Sequence, residues 1–160
     1  MRNYFFCNIL FILNIAMPFG SAAVSFKLEG DGKLIVTKSD GYKTYPLDIN
    51  IDGYKVSCDG RKIILWGHPK KFNESNPQDS NAILIFLQTD VTKTYGFSKG
   101  IFGVNYLAEK NVAYIGSGGG YYLNLKTGAI ENVQGSVDMS NDEFYEKCKK
   151  DKSWEFSRYE

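Results

Sequence analysis

Short β-rich runs separated by Asp-Gly and Thr-Gly turns recur along this chain of 160 residues and set the main limit on its fold. Asp31-Gly32 precedes the run 33–36, and Asp59-Gly60 precedes the run 61–66. A weaker third copy covers 109–115. Runs of this length between tight turns are typical of antiparallel meanders. We therefore predict a mainly β fold of antiparallel meander or propeller-blade-like sheets.

The second and third copies each continue through a connector into an apolar strand, a turn and a closing strand. The connector 67–81 is long and polar, whereas 116–120 is short and nearly free of side chains. Because each connector joins the same pair of strands in its unit, we expect both at one end of the sheet. About two and a half units cannot close a propeller, so we expect an open or sandwiched sheet. The predicted strand pairs are Ala82–Leu87 with Val91–Tyr95, and Tyr121–Leu125 with Ala129–Val133.

The C-terminal part has a different pattern. The sequence from Ser140 to Glu143 matches a capping box, and Phe144, Tyr145 and Cys148 then recur at helical spacing. These residues predict one C-terminal amphipathic helix at about 141–152. Beyond it, aromatic and polar residues alternate over 153–157, as in an edge strand or a tail lying on the surface.

The first 23 residues have the layout of a cleavable secretory signal. Arg2 precedes a mostly apolar stretch, Phe5–Met17, and the small residues Ser21-Ala22-Ala23 follow. Two asparagines interrupt the apolar stretch, so a membrane anchor is not expected. The predicted organisation is a signal peptide at 1–23 and a single β-rich domain at 24–160. We expect the mature protein to be periplasmic.

The mature chain is electrostatically balanced. Loss of Arg2 with the signal leaves 18 basic and 18 acidic residues among 137, which is 160 minus 23. This balance offers no footprint for nucleic acid or an anionic membrane surface. It favours a protein or small-molecule partner.

Two cysteines, Cys58 and Cys148, remain after the signal is removed. An oxidising compartment would allow them to pair, and we predict a disulfide between them. The alternative is two separately buried thiols.

The chain lacks the usual catalytic patterns. Its one histidine, His68, precedes Pro69 in the polar connector, and we expect an exposed side chain without a special role. A Cys58–His68 pair would require an unpaired, activated cysteine, and nothing near Cys58 provides one. Zinc-ligand spacing and a phosphate-binding glycine pattern are both missing. We expect no enzyme activity, no metal and no cofactor.

The run 116–120 is the candidate functional feature. Four glycines leave the backbone amides and Ser117 without neighbouring side chains, so the tip can enter a narrow cleft. The alternative is a flexible hairpin turn. The residues predicted to bind a partner are Gly116, Ser117, Gly118, Gly119, Gly120, Tyr121 and Tyr122. Further aromatic residues crowd the same stretch, namely Tyr95, Phe97, Phe102, Tyr106 and Tyr114.

The stretch containing Gly96-Phe97-Ser98-Lys99-Gly100, Val104, the strand 111–115, the glycine run and 121–133 resembles a known family. It is similar to the periplasmic immunity proteins that neutralise type VI secreted peptidoglycan amidases. The resemblance implies a mostly β domain that binds an amidase and blocks its active-site cleft. It maps the inserted serine of that family onto Ser117, flanked by the loop glycines.

A second resemblance concerns Ser117-Gly118-Gly119-Gly120-Tyr121. This segment is similar to the Ser-Gly-x-x-Tyr motif of periplasmic inhibitors of C-type lysozyme. The companion tyrosine and Thr-Lys-Gly motif of those inhibitors is missing, because Leu125-Lys126-Thr127-Gly128 has the order reversed. Two other classes remain open. One is a non-inhibitory β-rich envelope binding or scaffold module. The other is a binder of a glycan or small ligand that uses exposed aromatics such as Trp66.

Overall fold

The computed structural model of this protein describes residues 24–29, 32–108, 110–134, 145–148 and 153–155. The signal peptide predicted at 1–23 lies outside them. The described residues form three antiparallel sheets. The first contains β1 (Ser25–Glu29), β2 (Lys33–Lys38) and β3 (Gly41–Pro46). The central sheet contains β4 (Ile49–Val56), β5 (Lys62–Pro69), β6 (Ser80–Phe86) and β7 (Val91–Phe97). The third contains β8 (Val104–Tyr106), β9 (Val112–Ile115), β10 (Tyr121–Asn124) and β11 (Ile130–Asn132), and β12 (Ser153–Glu155) joins the central sheet.

Each sheet is a meander of strands that are consecutive in sequence, apart from β12, as the repeated turns predict. Gly32 and Gly60 both have φ of +68°, a conformation that favours glycine, and each precedes a strand by one or two residues. The mainly β, antiparallel prediction is therefore confirmed.

The central sheet is covered on both faces. Alternate residues of β5 serve the two sides, with Ile63 and Leu65 in one apolar cluster and Ile64 and Trp66 in the other. The first cluster includes residues of the first sheet, and the second includes residues of the third sheet. The three sheets thus form stacked layers, which agrees with the expected sandwich and explains why β5 and β6 are nearly continuous apolar runs.

The C-terminal helix is not observed in the described part of its predicted span. Tyr145 forms an antiparallel bridge with Leu107, and 146–148 are irregular. The remainder of 141–152 lies outside the described residues. Next, β12 pairs with β4, so the alternating pattern there forms an edge strand. Bridge and strand pairing with neighbouring segments thus replaces helix formation at the described positions.

The predicted disulfide between Cys58 and Cys148 is present, with 5.1 Å between the two Cα atoms. It links the turn before β5 to the C-terminal segment. A disulfide is compatible with an oxidising, extracellular compartment. Among the described residues, no helix is long and apolar enough to cross a membrane.

The glycine loop as a candidate binding surface

The glycine loop, which we define as 116–120, joins β9 to β10 in a hairpin. Ile115 and Tyr121 face each other in the antiparallel register on either side of it. The amide of Gly120 donates to the carbonyl of Ser117 at 2.9 Å, which closes a four-residue turn. Gly118 has φ of +56° and Gly120 has φ of +88°, so the turn uses the conformational freedom of glycine at both positions.

Hydrogen bonds to neighbouring segments hold both sides of the loop. The amide of Gly116 donates to the carbonyl of Gly103 at 2.9 Å, and the amide of Phe102 donates to the carbonyl of Gly116 at 2.8 Å. On the other side, the amide of Val133 donates to the carbonyl of Gly120 at 3.1 Å. Hydrogen bonds therefore brace the loop at both of its ends.

Ser117 supports the loop from within. Its side chain is 2% exposed, and its hydroxyl donates to the carbonyl of Lys99. A buried hydroxyl needs a partner, and the carbonyl of Lys99 supplies one. The expectation of a projecting serine must be corrected on this point, because the hydroxyl points into the protein and the tip consists of other residues.

Gly118 and Gly119 form the exposed tip of the loop. Among the described residues, no hydrogen-bond partner is found for the amides or carbonyls of these two glycines. A Cβ atom at Gly119 would meet nothing within 4 Å, whereas one at Gly118 would approach Cδ of Lys99 at 2.9 Å. The tip thus presents bare, unpaired backbone to solvent.

An exposed aromatic residue is attached to the base of the loop. Phe102 is 72% exposed although its amide is bonded to the loop, and Lys99 is also exposed. The sequence analysis grouped Phe102 with the other aromatic residues near the loop and did not distinguish it from the aromatic residues of the core. It sits between Gly100 and Gly103, outside any strand, and that local context is the signal that could have identified an exposed ring.

The long connector 67–81 lies at the same end of the sheets, as its repeat position implies. The side-chain amide of Asn76 donates to the carbonyl of Ser98 at 3.0 Å, within the segment that also holds Ser117. Asn73 donates to Asp79 at 2.5 Å, so the connector is braced by its own side chains. Phe72, at 68% exposed, adds a second open ring at this end.

The two tyrosines after the loop face in opposite directions. Tyr121 packs against the core with its ring 5.0 Å from that of Phe97, while Tyr122 contacts the ring of Tyr114 at 6.1 Å on the outer face of the sheet. Burial, and then the neighbouring Tyr122, raises the pKa of Tyr114. All three side chains are half-buried or buried, so they support the loop more than they extend it.

The other sequence candidates do not join this surface. Trp66 is 3% exposed in the core, which removes the aromatic residue on which the glycan-binding alternative depended. His68 is paired with Asp52, with 2.6 Å between Nδ1 and Oδ2. Cys58 lies at the opposite end of β5 in the disulfide and cannot act as a nucleophile with His68. Cys58, Cys148 and Glu146 cluster within 4.8 Å, but sulfurs bonded to each other are not thiolate ligands.

The geometry at this end is therefore an uncharged tip of two glycines on a hydrogen-bonded base, with Lys99 next to Gly118 and the exposed Phe102 bonded through its amide to Gly116. Such a tip can fill a narrow space and offer backbone donors and acceptors there. No protein-family model, curated protein or solved structure matches this chain.

Proposed function

We propose that this protein is a periplasmic immunity protein of the type VI secretion system. It binds a peptidoglycan-degrading amidase and blocks the active-site cleft with the glycine loop. The inhibited enzyme can no longer admit its peptide substrate. The residues that carry the contact are 116–122, with Gly118 and Gly119 entering the cleft and Ser117 holding them in position.

The observation that carries this proposal is the exposed Gly118–Gly119 tip, braced by hydrogen bonds on both sides. A loop that is already ordered loses little conformational entropy when it docks. The unpaired amides and carbonyls of the tip can satisfy polar groups inside a catalytic cleft, where an unpaired polar atom would cost about 1 to 3 kcal/mol.

Phe102 supplies the apolar contact that such an interface requires. Aromatic side chains that enter pockets of a partner dominate the binding energy of many protein complexes. Because the amide of Phe102 is fixed to the loop, its ring would meet the rim of the cleft as the tip enters. The exposed ammonium group of Lys99 beside it favours an acidic rim.

The proposed compartment is the periplasm, where peptidoglycan amidases act. The Cys58–Cys148 disulfide supports an oxidising location. The signal segment that would direct export lies outside the described residues.

The test directs a type VI secreted peptidoglycan amidase to the periplasm of a sensitive host, and the genes next to that of this chain are the first place to look for such an enzyme. Co-production of this protein should restore growth, and the purified protein should prevent digestion of isolated sacculi by the enzyme. If it neither restores growth nor slows digestion, the proposed function is wrong.

A parallel assay with a C-type lysozyme distinguishes amidase immunity from the alternative functions. Inhibition of a C-type lysozyme, with no effect on the amidase, would assign the protein to the lysozyme inhibitors. Failure to bind either hydrolase would favour an envelope binding or scaffold module. The same protein preparation should be used throughout, with its disulfide verified by mass under non-reducing conditions.

A further inference from the structure

A concave site lies at the end of the sheets opposite the glycine loop. It is a cavity of about 260 Å³ between the turn before β5, the start of β9 and the C-terminal segment 145–148. Apolar groups from Tyr106, Leu107 and Leu125 line part of it. We call it the disulfide-end cleft, because Cys58 and Cys148 flank its lining residues along the chain.

The charged lining of this cleft is balanced. Asp59 and Glu146 contribute two carboxylates, and Lys62 and Lys110 contribute two ammonium groups. A singly charged ligand would meet as many like charges as opposite ones. A ligand that carries both charges can satisfy both sets, and a small zwitterion therefore fits the cleft best.

The two carboxylates are held in place by the protein. Asp59 accepts from the hydroxyl of Ser57 at 2.6 Å and from the amide of Arg61 at 2.9 Å. Burial alone would raise the pKa of Asp59, but these hydrogen bonds and the Lys62 ammonium outweigh it and lower the pKa. Glu146 accepts from the amide of Cys58 at 2.8 Å through Oε2. Hydrogen bonds therefore fix the positions of both carboxylates.

Other polar groups of the cleft have bonding capacity left. Lys62 is 3.8 Å from Asp59, which is a loose ion pair. Among the described residues, neither the ammonium of Lys110 nor the side-chain amide of Asn111 has a hydrogen-bond partner, and Oε1 of Glu146 is also without one. Polar groups that converge on one concave surface are what fixes the orientation of a ligand in small-ligand sites.

The disulfide and two backbone contacts together position Glu146. It lies two residues before Cys148, its amide donates to the carbonyl of Tyr106 at 2.8 Å, and the preceding residue forms the bridge to Leu107. The C-terminal segment thus completes a wall of the cleft that the sheets alone do not supply.

We propose that the disulfide-end cleft binds a small zwitterion of the α-amino acid or dipeptide class. The ligand's ammonium group contacts Asp59 and Glu146, and its carboxylate contacts Lys62 and Lys110. This site is separate from the glycine loop and does not depend on the proposed immunity function.

The test compares three ligands that share one scaffold. Alanyl-alanine carries both charges, N-acetyl-alanyl-alanine carries only the carboxylate, and alanyl-alanine amide carries only the ammonium. Titration of the oxidised protein, followed by amide chemical shifts, should show alanyl-alanine binding at least about fivefold tighter than either analogue. Equal affinities, or no shift around the cleft at millimolar concentrations, would overturn the proposal.

Two variants assign the charges to the two ends of the ligand. Lys110→Gln should weaken the binding of alanyl-alanine about threefold, and it should reduce the affinity difference between alanyl-alanine and alanyl-alanine amide. Glu146→Gln keeps an acceptor for the Cys58 amide and should instead reduce the advantage over the N-acetyl ligand. Lys71→Gln and Glu74→Gln are matched controls, since both residues are exposed in the long connector. Losses of equal size in the controls would contradict the assignment.

Discussion

The hydroxyl of Ser117 is engaged inside the loop by the Lys99 carbonyl, so the atoms available to a partner are the backbone atoms of Gly118 and Gly119. From the sequence, a serine among four glycines is the obvious polar contact. Its burial depends on the neighbouring segment 98–103, which is distant in sequence, and local pattern could not reveal that contact. The location of the loop was predictable, but the division of roles within it was not.

Gly119 is the position at which the cleft-blocking proposal can be tested most cleanly. A Cβ there meets nothing within 4 Å, and its φ lies outside the region that favours glycine. Gly119→Arg should leave the free energy of unfolding within about 0.5 kcal/mol of the wild type. The same change enlarges the tip, and amidase inhibition should therefore be lost. Urea unfolding and sacculus digestion measure the two effects.

Ser39→Arg is the matched control for that experiment, because Ser39 is exposed in the turn between β2 and β3, away from the loop. It should inhibit the amidase as the wild type does. If Gly119→Arg is also fully active, the tip does not enter the cleft.

Ser117→Ala separates a supporting role of the serine from a direct contact. Removal of the hydroxyl breaks its hydrogen bond to the Lys99 carbonyl, and the free energy of unfolding should fall by about 0.5 to 1.5 kcal/mol. Amidase inhibition should weaken but not disappear, because the hydroxyl orders the loop and does not itself contact the enzyme. Unchanged stability combined with complete loss of inhibition would show that the hydroxyl itself contacts the enzyme.

At the level of elements, the strands were the most predictable part of the chain. Tight turns at Gly32 and Gly60 and the apolar runs of β5 and β6 are local signals, and the structure follows them closely. The segment 145–148 was not predictable in the same way. Its helical spacing is a local signal too, but a disulfide and a bridge to Leu107 compete with it. Tertiary contacts decided the outcome there.

Asp90 shows how a turn can join two sheets. It has φ of +59°, which aspartate tolerates, and it is the last residue of the turn between β6 and β7. Its carboxylate is 2.7 Å from the ammonium of Lys43 and accepts from the hydroxyl of Tyr45 at 2.5 Å, both on β3. The Lys43 contact, followed by the Tyr45 hydrogen bond, lowers the pKa of Asp90.

This lowered pKa predicts a pH-dependent contribution to stability. The folded state favours ionised Asp90, so the contribution is present above the unfolded pKa of about 3.9 and is lost as the pH falls through the folded value. Asp90→Asn keeps an acceptor for Tyr45 and tolerates positive φ. The variant should be less stable than the wild type at pH 7, and the difference should shrink below about pH 4. Thermal unfolding across this range measures it.

Lys43→Gln provides the reciprocal check, because it removes the cation that pairs with Asp90. In the Lys43→Gln background, the stability difference caused by Asp90→Asn should be smaller over the same pH range. A difference between wild type and Asp90→Asn that stays constant with pH would rule out the ion pair as its source.

At the level of the whole molecule, the stacked sheets separate two surfaces. The inner strands β5 and β6 of the central sheet are buried on both faces, and the two candidate sites lie at the ends of the strands. The glycine loop lies at one end and the disulfide-end cleft at the other. The eight residues of β5 between them span roughly 26 Å at about 3.3 Å per residue. We expect changes at one end to leave the other intact.

The double variant Cys58→Ser/Cys148→Ser tests this separation. It releases a loop closed across 90 residues, which should lower the free energy of unfolding by up to about 4 kcal/mol. Below its unfolding temperature it should still inhibit the amidase, because the loop is braced by 99–103 and Val133 and not by the disulfide. It should bind alanyl-alanine more weakly, because the removal of the disulfide takes away one of the contacts that position Glu146. Gly119→Arg should instead lose amidase inhibition and keep its affinity for alanyl-alanine. Loss of both functions in one folded variant would show that the two ends are coupled.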